Sequence, residues 1–354
     1  MAKTYGHLWD SVISFESLLE AWHRTEKGRK TQRNILQFKA DLEPNLLDIQ
    51  NSLIDGTYKT GPYRHFHIYE PKKRIVSALP IKDRIVQQSV YKAIEPIFES
   101  RFIEQSFACR PNKGAHKGAD KVQGYMRQVK RKYGRVYALK ADIAKYFPSI
   151  CHDVLRRLLR RRIACTKTAD LLDQVIASTD DGASVMPRGM PIGNLTSQLF
   201  ANIYLHELDT FVKHELRVKC YARYMDDFTV IHQDKDYLHE LRMKIEIFLW
   251  SELGLRTNAK TQVFPINKDN GRGLDFLGYR IWPTHRALRK DSISRMRKKM
   301  KRMARLYGMG EMELPAIEAV TRSWVGHARH ADTYDLRRNL LGVIFKRYGE
   351  RDEP

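Results

Sequence analysis

The chain has 354 residues, 42% of them hydrophobic, and sets 63 Lys and Arg against 41 Asp and Glu for a formal net charge of +22. That length and apolar content support a sizeable core, in one large multi-lobed domain or two ordinary ones, and exclude a disordered chain. The charge excess speaks against an enzyme of small metabolites and for a polyanionic partner. No apolar run reaches the roughly 18–20 residues that cross a bilayer, and the N-terminal stretch lacks a signal-peptide core, so an intracellular protein without membrane contact is expected. Cys109, Cys151, Cys165 and Cys220 are widely separated, with no C-x-x-C pair, and are expected to be reduced.

Residues 8–22 and 34–53 carry apolar positions at helical spacing, which predicts two helices in an N-terminal extension closing at "DGTYKTGP". The period then changes. "HFHIYE" and "RIVSAL", joined by Pro71-Lys72-Lys73, predict a two-stranded antiparallel ribbon, and the run behind it predicts a helix ending near Pro96. "YALKADI", residues 137–143, predicts a central strand, and the segment after Gly193 a long helix. "ARYMDDFTVIH" predicts a hairpin whose tip is Met225-Asp226-Asp227. A helix over 236–253 follows, then "LDFLGYRIW", residues 274–282, as one further strand stopped by Pro283. From Arg286 to Arg305 ten Lys or Arg stand against Asp291 alone, in a helical pattern that marks a C-terminal helical lobe. This order of elements is α+β, with helices on one face of an antiparallel sheet.

Adjacent carboxylates at a hairpin tip repel each other unless a cation lies between them, and hard carboxylate oxygens suit Mg²⁺. A third carboxylate is then expected nearby, and Asp142 at the end of the "YALKADI" strand is the candidate, because a strand of the same sheet would bring it to the hairpin. Two Mg²⁺ about 3.5–4 Å apart on such carboxylates activate a hydroxyl and neutralise a leaving pyrophosphate, the chemistry of nucleotidyl transfer. An exposed Asx turn is the plain alternative for two aspartates at a hairpin end.

The surrounding motifs decide between these readings. "YMDD" in a strand-turn-strand setting, with "DIAKYFPSI" and "PIGNLTSQLFANIYL" before it, resembles the palm motifs of reverse transcriptases. "RIVSALPIKDRIVQQSV" and "FACRPNKGAHKGAD" are similar to the fingers motifs of bacterial retroelement enzymes. "GLRTNAKT" resembles the palm segment after the catalytic hairpin, and "LDFLGYRIW" the primer grip. The resemblance covers about residues 60–335. Most bacterial relatives carry Ser-Pro where this chain reads Ser197-Gln198. Gln there, together with "SWVGHARHADTYDL", resembles the reverse transcriptases of diversity-generating retroelements.

The resemblance implies a right-hand polymerase: a helical extension over 1–58, fingers over 59–135, a palm over 136–285 with a fingers-derived insertion around 152–190, and a helical thumb over 286–354. It implies catalytic Asp142, Asp226 and Asp227, with Ile143 joining them as ligands of two Mg²⁺, for which Mn²⁺ could substitute. Arg74, Arg84, Phe147 and Gln198 are the implied dNTP contacts, Phe147 as the ring that excludes a 2′-hydroxyl; Arg74, Ile192 and Gln198 bear on fidelity. Lys72, Lys73, Arg110, Lys113, Arg295, Lys298, Lys299 and Arg302 are candidate nucleic-acid contacts, the last four on the basic C-terminal helix. His327 and His330, with no nearby Cys or third His in sequence, are assigned to packing.

Family members copy a template-repeat RNA into cDNA with errors at template adenines, for rewriting a variable gene with an accessory variability protein. The expected partners are therefore that RNA, its cDNA, dNTPs and an oligomeric accessory protein, in the cytoplasm of a prokaryotic cell or a phage-infected host. A group II intron-like or antiphage reverse transcriptase is the rival within the enzyme class, and an RNA-binding assembly protein with an idle site the rival outside it. Three retained, mutually repelling carboxylates weigh against the latter. Phe147 weighs against an RNA-dependent RNA polymerase.

Overall fold

The computed structural model describes residues 3–69, 73–178, 186–267 and 272–348. The elements in chain order are α1 (Trp9–Ile13), α2 (Phe15–Glu26), α3 (Arg33–Ala40), α4 (Leu42–Ile54), β1 (Arg64–Ile68), β2 (Arg74–Ala78), α5 (Ile81–Glu99), α6 (Ala115–Tyr133) and β3 (Tyr137–Asp142). There follow α7 (Tyr146–Ser149), α8 (His152–Arg160), α9 (Thr166–Ala177), α10 (Leu195–Thr210), β4 (Tyr221–Tyr224), β5 (Asp227–His232), α11 (Lys235–Leu253) and β6 (Gln262–Pro265). The chain closes with β7 (Leu274–Phe276), β8 (Tyr279–Ile281), β9 (Arg286–Leu288), α12 (Lys290–Gly308), α13 (Leu314–Ala328) and α14 (Tyr334–Tyr348). Among the described residues no helix is long and apolar enough to cross a membrane, and all four cysteines are free.

Two compact units are distinct: Met1–Pro111 with Asp142–Arg217 and Met243–Lys260, and Asn112–Ala141 with Val218–Arg242 and Thr261–Pro354. In the first, the predicted helix over 8–22 is split at Ser14, whose extended backbone ends α1 and whose Oγ accepts the Ser17 N–H at 3.2 Å to cap α2. The predicted helix over 34–53 is likewise divided, at Asp41, into α3 and α4. Fully buried Trp22 stacks on Phe38 with centroids 4.9 Å apart, joining α2 to α3. The ribbon forms as predicted, β1 against β2 from Arg64↔Ala78 to Ile68↔Arg74; Lys72 lies outside the described residues.

Helix α5 passes the predicted stop at Pro96 and ends at Glu99. Proline there removes a single N–H from the last turn, and the Ser100 N–H still reaches the Pro96 carbonyl at 3.4 Å. Helix α10 is buried through Phe200, Tyr204, Leu205 and Leu208 and continues into a π-helical turn, Phe211–Glu215. Just before it, Gly193 has φ +125° and lies where a Cβ would stand 3.0 Å from the Ser77 carbonyl oxygen. The Ser77 N–H donates to the Ile192 carbonyl at 2.9 Å, so β2 and the 192–193 segment are tied backbone to backbone.

The second unit holds a four-stranded sheet ordered β4-β5-β3-β6. β4 pairs antiparallel with β5, and β3 antiparallel with β6; the Thr229 hydroxyl donates to the Leu139 carbonyl at 2.9 Å between β5 and β3. Helix α6 packs on β4 and β5. Residues 274–282 are not one strand but the hairpin β7–β8, turning through Leu277 (φ 54°) and Gly278 (φ 89°), and β9 adds to β8. A two-residue turn with both φ positive matches the twist of its strands. The basic run also differs from its prediction as one helix: Arg286–Leu288 is strand, and α12 begins at Lys290. Met296, Met300 and Met303 on α12 bury against Ile317 of α13, which fixes which face of α12 looks outward.

His327 and His330 do pack against protein, and a third histidine joins them. The Tyr279 hydroxyl lies 2.8 Å from His116 Nδ1 and 3.1 Å from His327 Nδ1, and His330 stacks on His116 at 3.8 Å. Burial, then the neighbouring cationic groups, holds His116 and His327 below the usual imidazole range.

Candidate active site

The β4–β5 turn is built around a wholly buried charge. Tyr224 pairs with Asp227, leaving Met225 and Asp226 as the two turn residues. Met225 has φ 56° with its side chain 9% exposed, an uncommon backbone for a residue with a Cβ. Arg223, 0% exposed, donates from Nη1 to the Met225 carbonyl at 3.0 Å and so holds the turn from within. Asp226 and Asp227 are half-buried. Lys140 on β3 places Nζ 3.7 Å from Asp227 Oδ2 and donates to the Asp275 carbonyl at 2.6 Å.

Asp142 is the last residue of β3, the strand next to β5. Its carbonyl accepts the Asn258 N–H at 2.6 Å, and its Oδ2 lies 3.4 Å from Asn258 Nδ2. Ile143 is buried and forms an isolated bridge with Thr257. Among the described residues no group of three or more His, Cys, Asp or Glu is already gathered as a metal cluster. Half-buried Asp142, Asp226 and Asp227 each offer carboxylate oxygens, the donor type Mg²⁺ takes while keeping several waters.

In the first unit, a cavity of about 460 Å³ is lined by Arg24, Arg29, Arg64, Arg84, Gly193 and Gln198 among others, with no Asp or Glu in its wall. Arg84 donates from Nε to the Leu79 carbonyl at 2.9 Å. Burial, then Arg29 and Arg64, pushes its guanidinium below the usual range. A larger cavity, about 560 Å³, lies among α8, α10 and α11 and touches none of the predicted site residues.

The family profile described as "Reverse transcriptase (RNA-dependent DNA polymerase)" matches residues 63–281, a span that takes in β3, the Asp-Asp hairpin and β7–β8. The chain belongs to the reverse transcriptase family. Among curated relatives, Protein YkfC of Escherichia coli K12 is 27% identical over 287 residues, 70% of this chain and 74% of that protein. Group II intron-encoded protein LtrA of Lactococcus lactis is 30% identical over 197 residues, 53% of this chain but only 32% of LtrA. Of solved structures, telomerase from Candida albicans superposes with a TM-score of 0.49 at 11% identity, over 69% of this chain and 51% of that one. By its membership the reaction class is RNA-directed DNA polymerisation.

In this reverse transcriptase the predicted dNTP contacts are not all brought together. Arg84 and Gln198 share the basic cavity, whereas Arg74 is exposed on β2, and neither it nor Ile192 nor Phe147 lines that cavity. Phe147 is half-buried on α7, its ring 5.6 Å from that of buried Tyr146.

Arg110 corrects a prediction. Its side chain is 5% exposed, Nε and Nη2 bracket the Glu99 carboxylate at 2.8–3.0 Å, and Nη1 donates to the Ile103 and Ser106 carbonyls at 2.6 and 2.9 Å. A guanidinium so enclosed braces the end of α5 instead of meeting phosphates. Lys73 is exposed before β2 and Lys113 half-buried before α6. Arg295, Lys298, Lys299 and Arg302 are all exposed on α12, on the side away from Met296, Met300 and Met303.

Sequence reasoning missed Lys140, Arg223 and Asn258. Each had a signal: a lone Lys in the apolar "YALKADI", an Arg inside the apolar arm "YARY", and an Asn in the matched block "GLRTNAKT".

Proposed function

We propose that this protein copies an RNA template into DNA with Asp142, Asp226 and Asp227 as its catalytic carboxylates, and that it is the reverse transcriptase of a diversity-generating retroelement. The observation that carries the catalytic reading is the Asp-Asp tip of β4–β5 beside a strand that ends in Asp142, inside the segment matched by the family profile. Asp142, Asp226 and Asp227, with the carbonyl of Ile143, would hold two Mg²⁺, which when bound lower the pKa of the primer hydroxyl and neutralise the departing pyrophosphate. Lys140 spreads positive charge at Asp227 and so eases the crowding of carboxylates before a nucleotide arrives. Arg74 and Arg84 hold the triphosphate; Arg295, Lys298, Lys299 and Arg302 follow backbone phosphates from α12.

Phe147 is the sugar gate in this reading. Trimming it in Phe147→Ala opens space for a 2′-hydroxyl, and ribonucleotide use is expected to rise on the order of 10–200-fold relative to deoxyribonucleotides, the range a single apolar wall supplies. Single-nucleotide extension with matched rNTP and dNTP reads this directly. An unchanged ratio assigns Phe147 to packing.

The finer assignment rests on Gln198. Its side chain offers a donor and an acceptor to the wall of the basic cavity, where the Pro of most bacterial relatives offers neither and stiffens the backbone. A looser wall lowers the cost of a mispair. The preference for adenine comes from the resemblance alone, as do the template-repeat RNA, the accessory variability protein and a cytoplasmic site of action. The intron-type reading is favoured by the relatives named for introns, LtrA and an Arabidopsis nuclear intron maturase.

Sequencing cDNA made on a defined RNA separates the two readings. Errors at template adenines are expected to exceed those at other bases by roughly tenfold or more, about 1.4 kcal/mol of lost discrimination, and to fall in Gln198→Pro. Equal accuracy at all four bases, with native RNA and accessory protein present, hands the assignment to the intron-type reading.

A further inference from the structure

The cations of the second unit are not confined to α12. Arg127, Lys130, Arg131 and Lys132 on α6 and Arg135 in the connector to β3 are all exposed. Beside them a cavity of about 460 Å³ is lined by Arg127, His285, Arg286, Arg329, His330 and Asp332. Asp332 and Asp120, the partner of Arg286 at 2.5 Å, are the acidic groups at this place, outnumbered by arginines. Arg286 Nη1 is buried and finds no hydrogen-bond partner among the described residues. Arg127 Nε donates to the Pro283 carbonyl at 2.9 Å, and Gln123 Nε2 to the Trp282 carbonyl at 3.1 Å, so the β8–β9 turn is pinned along α6.

Along β3 this surface adjoins the strand's start and Asp142 is its last residue. Arg135 stands two residues before β3 and Asp142 ends it, so the strand separates them by about 20 Å at about 3.3 Å per residue. β8 repeats the polarity: Tyr279 at its start meets His116 at the start of α6, while Trp282 and Pro283 past its end meet Gln123 and Arg127 further along the helix. A primer terminus at Asp142 therefore cannot reach residues 127–135 with the same base pair.

We propose that the exposed face of α6, the 134–136 connector and the adjoining Arg329 cavity form a second RNA surface, which holds a structured part of the RNA while another part is copied. The proposal rests on the polymerase reading for its biological sense, but binding here is independent of catalysis. Residues 127–133 span about 9 Å of helix, a length that faces about three phosphates of one strand at about 3.4 Å each. Tyr133, 45% exposed with Lys132 Nζ 5.1 Å from its ring, adds an aromatic face on which an unpaired base can stack. Basic side chains around an exposed ring and an arginine-lined hollow match RNA better than a carboxylate-bearing protein.

The test uses the full chain and a closed RNA hairpin with about two turns of A-form stem and no primer end. Arg131→Gln, Lys132→Gln, Arg135→Gln and Arg329→Gln are combined, because these exposed side chains make no hydrogen bond or ion pair described in the structure. Three or four lost phosphate contacts are expected to reduce the slope of log Kd against log salt by about 2–4 and to weaken hairpin binding by roughly tenfold or more. Extension of a short template-primer is expected to stay at the wild-type level. Unchanged hairpin affinity and slope overturn the proposal, and a loss of polyglutamate binding in their place would assign the surface to an acidic protein. A parallel loss of extension also overturns it, by making the surface part of the template-primer track. If wild type itself extends no primer, the polymerase reading fails while the hairpin measurement still decides this one.

Discussion

Asp226→Asn and Asp142→Asn are expected to fold, to bind RNA as wild type does, and to lose cDNA synthesis by on the order of a thousandfold or more. The substitution keeps volume and polarity and removes one negative charge, so what disappears is the attraction for a divalent cation and little else. Removing a single oxyanion-hole donor commonly costs about 10²–10³, and a carboxylate proposed to hold a metal is expected at the upper end because its loss would also displace the ion. Asp227→Asn additionally leaves Lys140 Nζ without the carboxylate 3.7 Å away, so a larger change in local charge accompanies it. Extension of a DNA primer on an RNA template, with folding checked by thermal melting and binding by titration, reads the three variants. Wild-type synthesis by either Asp226→Asn or Asp142→Asn would remove the carboxylates from the reaction.

The legible parts of the fold were those where local pattern and burial agree. β3 reads as a strand because its apolar residues are buried on both sides, and the Asp-Asp hairpin reads from its β-branched and aromatic arms. α10 followed for the same reason, whereas the ribbon, exposed along the whole of β1, followed from residue type alone. Where backbone geometry contradicted residue type, the reading went astray. Leu277 with φ 54° gives no sign in its side chain that 274–282 turns back on itself, and the sign was Gly278 beside it. Ser14 could have been read as a cap, but its neighbours keep the helical period. At the site, the catalytic candidates were legible from motif order, while the residues that hold them in place were not: Arg223 and Lys140 act through a buried carbonyl and a neighbouring strand, partners that only the folded sheet supplies.

Arg110→Ala is expected to destabilise the protein by about 3–5 kcal/mol, the usual cost of breaking a buried ion pair from one side, against a total that is commonly about 5–15 kcal/mol. The cost arises less from the pair's own attraction than from what is left behind. Glu99 stays a quarter exposed without its bidentate partner, and the carbonyls of Ile103 and Ser106 lose their donor. Arg110→Lys is expected to recover little, since one ammonium cannot bracket a carboxylate and reach two carbonyls beyond it. A double-mutant cycle with Glu99→Gln in urea, read from the midpoints, is expected to show coupling well above the roughly 0–1 kcal/mol of an exposed pair. If Arg110→Ala melts like wild type and instead weakens RNA binding, the guanidinium serves phosphates after all, and the enclosed arrangement around Glu99 opens when nucleic acid is present.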